Sequence, residues 1–270
     1  RSGEVRVNKG RAAADTRVAS GDRVRLPPVR VSERAAEKAE QPAPAREFPV
    51  LLEDEHLIAL DKPAGVAVHG GSGVSFGVIE QLRQARPDAK FLELVHRLDR
   101  ETSGILLVAK KRSALLKLQD QFRDRETGKT YLALVSGALP ANRKVIDVPL
   151  HKYLQADGER RVKVVDKDDP DGMRAITLVK VARKLHGFTL LEVTIKTGRT
   201  HQIRVHLASR GHPLVADALY GGVAALGMTR QALHATRLAF DHPLQARPMS
   251  FEAPPPGDFG PAWRAIAETA

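Results

Sequence analysis

Six short strand-like segments and only three helical ones between residues 57 and 210, in irregular order, constrain the fold of this chain more than any other feature. Residues 57–60, 92–95, 105–109, 129–135, 175–181 and 189–196 carry the apolar and β-branched content of strands. In the last of them Leu191, Val193 and Ile195 fall on one face and Glu192, Thr194 and Lys196 on the other, the alternation of a strand with one dry side. Helical spacing occurs at residues 75–85, at 113–123 and at 200–210. Ser113 is placed to cap the second helix, and in the third Ile203 and Leu207 stack one turn apart before a stop at Gly211. Pro261 opens a short terminal helix containing Trp263. Strands that outnumber helices without alternating with them predict an α+β fold, a mixed and largely antiparallel sheet with flanking helices, over a doubly wound parallel sheet.

Residues 1–28 alternate short apolar pairs with Gly and Asp turns and end at Pro27-Pro28; alone they bury little. Residues 29–47 are rich in Ala, Glu, Arg and Pro, and Pro42 and Pro44 break any continuous helix, so this stretch reads as a linker. The main domain then runs over residues 48–270. The chain opens at Arg1 without a signal-peptide pattern, and further residues are expected upstream.

Charge narrows the class of partner. In 270 residues, 43 Lys and Arg against 32 Asp and Glu leave a formal charge of +11, which favours a polyanion. With 0 Cys there is no disulfide framework, thiolate metal site or cysteine nucleophile, which fits a reducing compartment and makes the cytoplasm the expected location. Apolar runs such as 105–109 and 131–135 are about five residues long, far short of the roughly 20 a membrane-spanning helix needs, so no membrane association is expected. A monomer is the default.

Several cofactor motifs fail on inspection. Gly128-Lys129-Thr130 imitates the end of a phosphate-binding P-loop, but the glycine required five residues earlier is Arg123. The 71–76 stretch, GSGVSF, lacks the third glycine of a dinucleotide fingerprint and reads as a loop. His201 and His206 are five apart, which does not align them as metal ligands on one helical face, so no metal is expected.

The chemistry concentrates at His96-Arg97-Leu98-Asp99-Arg100-Glu101-Thr102-Ser103-Gly104, between two strand-like segments. A carboxylate on such a loop between two arginines is either an ordinary surface ion pair or a reactive group. Two other segments could complete a site. Tyr131 sits within a strand, where core packing competes with a functional role. The run from Gly198 to His206, a Gly turn leading into a helix, could bind phosphate through free N–H groups and Arg199, or could be a capped basic helix. On that helix Arg204, beside Ile203, can point inward and hold a carboxylate ionised.

HRLDRETSG, KTYLAL and TGRTHQIRVHLA, together with DKPAGVAVHGG at residues 61–71, occur in the order and with the gaps of the RluA family of RNA pseudouridine synthases, which the chain resembles over residues 48–253. GGSGVSFGVIEQLR at residues 70–83 is most similar to the branch of that family that modifies large-subunit (23S) ribosomal RNA. Residues 1–28 resemble the second half of an S-four-like RNA-binding module.

The resemblance implies a pseudouridine synthase fold with a central RNA-binding cleft, no cofactor, and an isomerisation in which uracil is detached from the ribose, turned and rejoined through carbon 5. It implies that Asp99 is the essential carboxylate, as nucleophile or as base; that Arg204 keeps it charged; and that Tyr131 stacks on the uracil and can take the carbon 5 proton, with Ile203 on the opposite side. Arg97 would insert where the target base is flipped out, and His96 would support the loop. Lys62, Arg100, Arg199 and His201 are candidates for phosphate or loop contacts. Glu101 stands where many members of the family carry Asp. Two alternatives remain open at this point: a non-catalytic RNA-binding or ribosome-assembly factor, and a synthase of the same family acting on other RNA sites. A base methyltransferase fits poorly, because the thiol and the cofactor glycine loop are missing.

Overall fold

The structure, a computed structural model, describes residues 5–13, 16–26, 42–71, 75–140, 145–154, 160–245 and 247–260. The chain divides into two compact units, residues 1–42 and 43–270. In the first, β1 (Arg6–Val7), β2 (Gly10–Arg11) and β3 (Val24–Arg25) form an antiparallel sheet in the order β2-β1-β3. Asn8, in the turn after β1, donates to Asp22 Oδ1 at 2.6 Å and accepts the Arg23 N–H at 3.0 Å, tying that turn to the approach to β3.

Most of the expected linker, residues 29–41, lies outside the described residues, as do Trp263 and residues 72–74 of the 71–76 loop. Arg46 and Glu47 are no linker: the Arg46 N–H donates to the Gln81 carbonyl at 3.3 Å, and Glu47 pairs with Arg86 at 2.8 Å.

The second unit is built on β4 (Val50–Glu53), β5 (Leu57–Lys62), β6 (Glu93–Leu94), β7 (Ser103–Ala109), β8 (Gly128–Ser136), β9 (Val145–Asp147), β12 (Ile176–Leu185), β13 (Phe188–Ile195), β14 (Leu233–Asp241) and β15 (Pro248–Glu252). They form one sheet ordered β4-β5-β7-β14-β8-β13-β12-β9, with β6 added to β7 and β15 to β14. The hairpin of β10 (Leu150–Leu154) and β11 (Arg160–Val164) stands apart. Helices α1 (Val78–Ala85), α2 (Arg112–Asp124) and α3 (Gln202–Ala208) flank the sheet.

Among the described strands only β7 and β14 run parallel, joined by two residue pairs, His234 with Ser103 and Ala235 with Gly104; farther along, that edge of β14 is occupied by β15. This short seam joins the β4-β5-β7 half of the sheet to the β14-β8-β13-β12-β9 half. Gly104 makes the approach possible: its φ is +109°, and a Cβ there would lie 2.2 Å from the Ala235 carbonyl oxygen.

The unbroken apolar run of β7 follows from burial on both faces. Ile58, Leu60, Leu106 and Val108 pack with Val78, Ile79 and Leu82 of α1. Leu57, Ala59, Ile105 and Leu107 point the other way, into a cluster with Leu118 of α2. In the second half Ala133, Val135, Leu191 and Val193 pack against Ile203 and Leu207 of α3. Ser113 does not cap α2; Lys111 occupies that position with no side-chain bond, and the serine is the second helical residue. The helix expected over residues 200–210 is shorter, because His201 takes a left-handed conformation (φ 51°) just ahead of it.

Candidate active site

The loop between β6 and β7 carries Asp99, with Leu98 buried beneath it as an anchor. Its backbone closes through a Thr102 N–H to Asp99 carbonyl bond of 3.1 Å. Three buried side chains grip the same loop: Lys62 donates to the Arg100 carbonyl at 3.1 Å, Arg230 to the Glu101 carbonyl at 2.8 Å, and Gln231 to Thr102 Oγ1 at 2.8 Å. Arg230 is itself held by Asp258 near the end of the described chain.

From the other half of the sheet, the Gly198 turn after β13 leads into α3. Gln202 stitches this turn: its Oε1 accepts from Thr197 Oγ1 at 2.8 Å and from the Arg199 N–H at 3.0 Å. Arg204, 6% exposed, reaches Asp99 Oδ2 through Nη1 at 3.2 Å. Its Nε and Nη2 donate to the two oxygens of Asp217, each at 2.8 Å, and the Tyr220 ring lies 5.0 Å from the guanidinium carbon. Burial works against the guanidinium's charge, but Asp217 and Asp99 more than reverse it, so the pKa of Arg204 is raised. Asp217 is almost fully buried, so the pair has the bidentate, desolvated form in which Arg recognises carboxylate most strongly.

Tyr131 of β8 lines the same cleft with Thr102, Ile195, Ile203 and Leu233. Burial, and then the charge of Asp99, raise the pKa of its hydroxyl, so it stands there as a phenol. His201 Nδ1 is 2.7 Å from the Tyr220 hydroxyl and its Nε2 is 3.9 Å from Asp99 Oδ1. The structure therefore brings together Asp99, Tyr131, Ile203 and Arg204, with Arg97, Arg199 and His201 at the margin.

Of the remaining candidates, Lys62 makes a loop contact and no phosphate contact, His96 sits at the start of the loop, and Arg100 lies outside the cleft. Lys62, fully buried, gives its hydrogens to the carbonyls of Pro63, Val66 and Arg100 at 2.8, 2.8 and 3.1 Å, so it holds the loop and cannot meet a phosphate. Arg100 points away and pairs with Glu101 at 2.8 Å. His96 stacks on Phe122 and accepts the Leu107 N–H at 3.1 Å; burial pushes it down to about 4, so it is neutral. At the turn, Arg199 gives its Nε to the Arg174 carbonyl at 3.1 Å and its N–H to Gln202, which leaves that amide unavailable to phosphate.

Asp217 and Tyr220 escape sequence reasoning because they sit on a single short turn (Ala218–Tyr220) with no periodicity. A charged residue flanked by the apolar run from Pro213 to Ala216 is the one signal that marks Asp217. His206, grouped with His201 when metal ligands were sought, is a core residue held by Thr177 Oγ1 and the Val148 carbonyl at 2.8 and 2.9 Å. The histidine and carboxylate cluster found among the described residues, His151 with Asp169 and Asp171, shares no residue with the cleft.

A second groove, of about 420 Å³, continues from the cleft along Arg97, Arg123, Arg125, Lys129, Lys196 and Arg199, with no acidic residue in its lining. The arrangement offers a carboxylate held by a buried cation, an aromatic and an aliphatic face on a narrow slot, and a cationic track leading to it.

Residues 56–209 match the family described as RNA pseudouridylate synthase. The chain is 48% identical over 264 residues to a protein of Yersinia pestis named ribosomal large subunit pseudouridine synthase C, covering 94% of this chain and 81% of that one. It is also 48% identical over 265 residues to the protein of that name from Escherichia coli strain K12, covering 94% and 82%. Among solved structures, human RNA pseudouridylate synthase domain containing 4 superposes with a TM-score of 0.67 at 23% identity, over 81% of this chain and 93% of that one. Human RNA pseudouridylate synthase domain containing 1 gives 0.64 at 25% identity, over 80% and 86%. With a family match over more than half its length and relatives identical at nearly half their positions, the chain belongs to the RNA pseudouridylate synthases, enzymes that isomerise uridine to pseudouridine.

Proposed function

We propose that the substrate is a set of specific uridines in large-subunit (23S) ribosomal RNA, and that Asp99 is the carboxylate on which the reaction depends. The observation that carries the reading is the Arg204 to Asp99 contact of 3.2 Å within a cleft lined by Tyr131 and Ile203. The names of the two bacterial relatives supply the RNA class. A uracil between the Tyr131 ring and Ile203 places its sugar beside Asp99. There the carboxylate either attacks the ribose or removes a proton from it to start glycosidic cleavage, and both routes need the charge that Arg204 sustains. Tyr131 covers the turning base; as a phenol it accepts the carbon 5 proton only if its own proton leaves in the same step.

A base stacked within RNA cannot enter so narrow a slot, so the target nucleotide is extruded, with exposed Arg97 at the mouth occupying the space it leaves. The cationic groove holds the flanking phosphates. Arg6, Lys9, Arg11, Arg17, Arg23 and Arg25 of the first unit, all exposed, add RNA contacts as part of an S-four-like module. The enzyme works as a monomer in the cytoplasm, without a metal.

The test is to incubate the protein with unmodified 23S rRNA and map pseudouridine by carbodiimide treatment and primer extension. New stops with the wild type and none with Asp99→Asn are expected. An absence of new stops overturns the substrate; stops that persist in Asp99→Asn overturn the role of Asp99. A cellular effect that survives Asp99→Asn belongs to a non-catalytic assembly factor.

A further inference from the structure

His201 borders the cleft without a part in the scheme above, yet two contacts fix how its ring can be used. Nδ1 lies 2.7 Å from the Tyr220 hydroxyl, and Nε2 faces Asp99 Oδ1 at 3.9 Å. A carboxylate offers lone pairs and no hydrogen, so the ring nitrogen that faces Asp99, Nε2, is the one that carries the single proton of a neutral imidazole. Nδ1 then accepts, and the Tyr220 hydroxyl donates its proton to it. Burial holds the ring neutral; of the charged groups facing it, Asp99 and Asp217 favour its cation, and Arg204 and Arg97 oppose it.

The two oxygens of Asp99 are thus used differently. Oδ2 receives Arg204, and Oδ1 faces the imidazole across a gap too wide for a direct hydrogen bond. A gap between a donor and an acceptor suits a group that is both. Within an RNA strand the 2′-hydroxyl is the one free hydroxyl of each ribose, and it both donates and accepts.

We propose that His201, locked as the Nε2–H tautomer by Tyr220, and Asp99 Oδ1 together grip the 2′-hydroxyl of the target nucleotide. The hydroxyl accepts from Nε2–H and donates to Oδ1, which brings the carboxylate against the sugar carbons where the reaction starts. His201 is then a group that distinguishes RNA from DNA at the target, and Tyr220 is its positioning residue. The inference rests on the reading of Asp99 as the carboxylate beside the sugar.

The test uses the full chain with nitrogen-15-labelled histidine, the His201 signals being assigned by their loss in His201→Gln. Near neutral pH, long-range proton to nitrogen correlations should show an unprotonated Nδ1 and a protonated Nε2. Tyr220→Phe keeps a ring over Arg204 and should turn this pattern into a mixture of tautomers without moving the unfolding midpoint. Pentauridylate should shift the Nε2 signal, and the 2′-deoxy pentamer should not.

On 23S rRNA, His201→Ala should lower kcat/KM at least tenfold, His201→Gln should recover part of it, and Tyr220→Phe should lower it about threefold. An Nδ1–H tautomer, a cationic ring, or equal shifts by the ribo and deoxy pentamers overturns the proposal. A wild type that forms no product on rRNA overturns the substrate reading instead, and the tautomer and oligonucleotide measurements still decide this one.

Discussion

Arg204 gives Asp217 two hydrogen bonds at 2.8 Å and Asp99 one at 3.2 Å, so a single buried guanidinium is shared unequally between two carboxylates. The tighter pair fixes the cation in place. The looser one takes only Oδ2 of Asp99, on a separate loop, and leaves Oδ1 facing His201 at 3.9 Å.

Asp217→Ala leaves Arg204 buried with half its partners gone, and loss of one member of a buried pair costs about 3–5 kcal/mol. A drop of that size is expected in urea unfolding. Asp217→Asn keeps one acceptor and should unfold closer to the wild type, while its kcat on 23S rRNA falls at least tenfold because the guanidinium is no longer aimed.

Burial draws Lys62 down to about 7, against roughly 10.4 in an unfolded chain. Between these values the unfolded chain binds the extra proton, so folding stability rises as the pH climbs through that window, and the cost is present in full below it. From pH 7 to pH 9 this one group should add about 2 kcal/mol. Urea midpoints at the two pH values should show the rise in the wild type and lack it in Lys62→Met.

How far the sequence foretells this arrangement depends on whether burial is periodic. The alternation of Leu191, Val193 and Ile195 against Glu192, Thr194 and Lys196 survives in β13, where the first three are buried and the others are not. The continuous run of β7 is likewise readable, since both its faces are dry. β14 is not readable, because His234 and Thr236 are buried polar residues bonded to the Ala253 carbonyl and break any apolar pattern. The same holds for Lys62, for which the sequence leaves a phosphate contact and a loop contact open and whose hydrogens meet three carbonyls that only the folded loop assembles. Arg204 is legible as inward-facing from its neighbour Ile203, but Asp217 is joined to it by tertiary contact alone.

Arg125 and Lys196, both exposed in the groove, are placed to meet phosphate. Binding of single-stranded RNA should weaken linearly on a logarithmic salt scale, and Arg125→Ala or Lys196→Ala should each reduce that slope by about 0.7–1. Filter binding over a range of potassium chloride concentrations measures it. A slope unchanged in both variants places the RNA elsewhere.

Gly104→Ala should be among the most damaging single changes outside the cleft. The added Cβ would lie 2.2 Å from the Ala235 oxygen at a φ of +109°, and strain together with overpacking costs about 3 kcal/mol. Thermal unfolding should report the loss, and the surviving folded fraction should bind RNA yet turn over slowly, because Asp99 lies just ahead of this strand.

Asp99 belongs to one half of the sheet, Tyr131 and Arg204 to the other, and the strands between them touch through two residue pairs. The backbone spine between the two halves is thus only two stitches long, and side chains carry the rest of the binding: Ser103 to His234, Arg230 to Ser103 and the Glu101 carbonyl, and Gln231 to Thr102. The spacing of Asp99 from Arg204 is therefore set by residues that line up behind the cleft, at the seam itself.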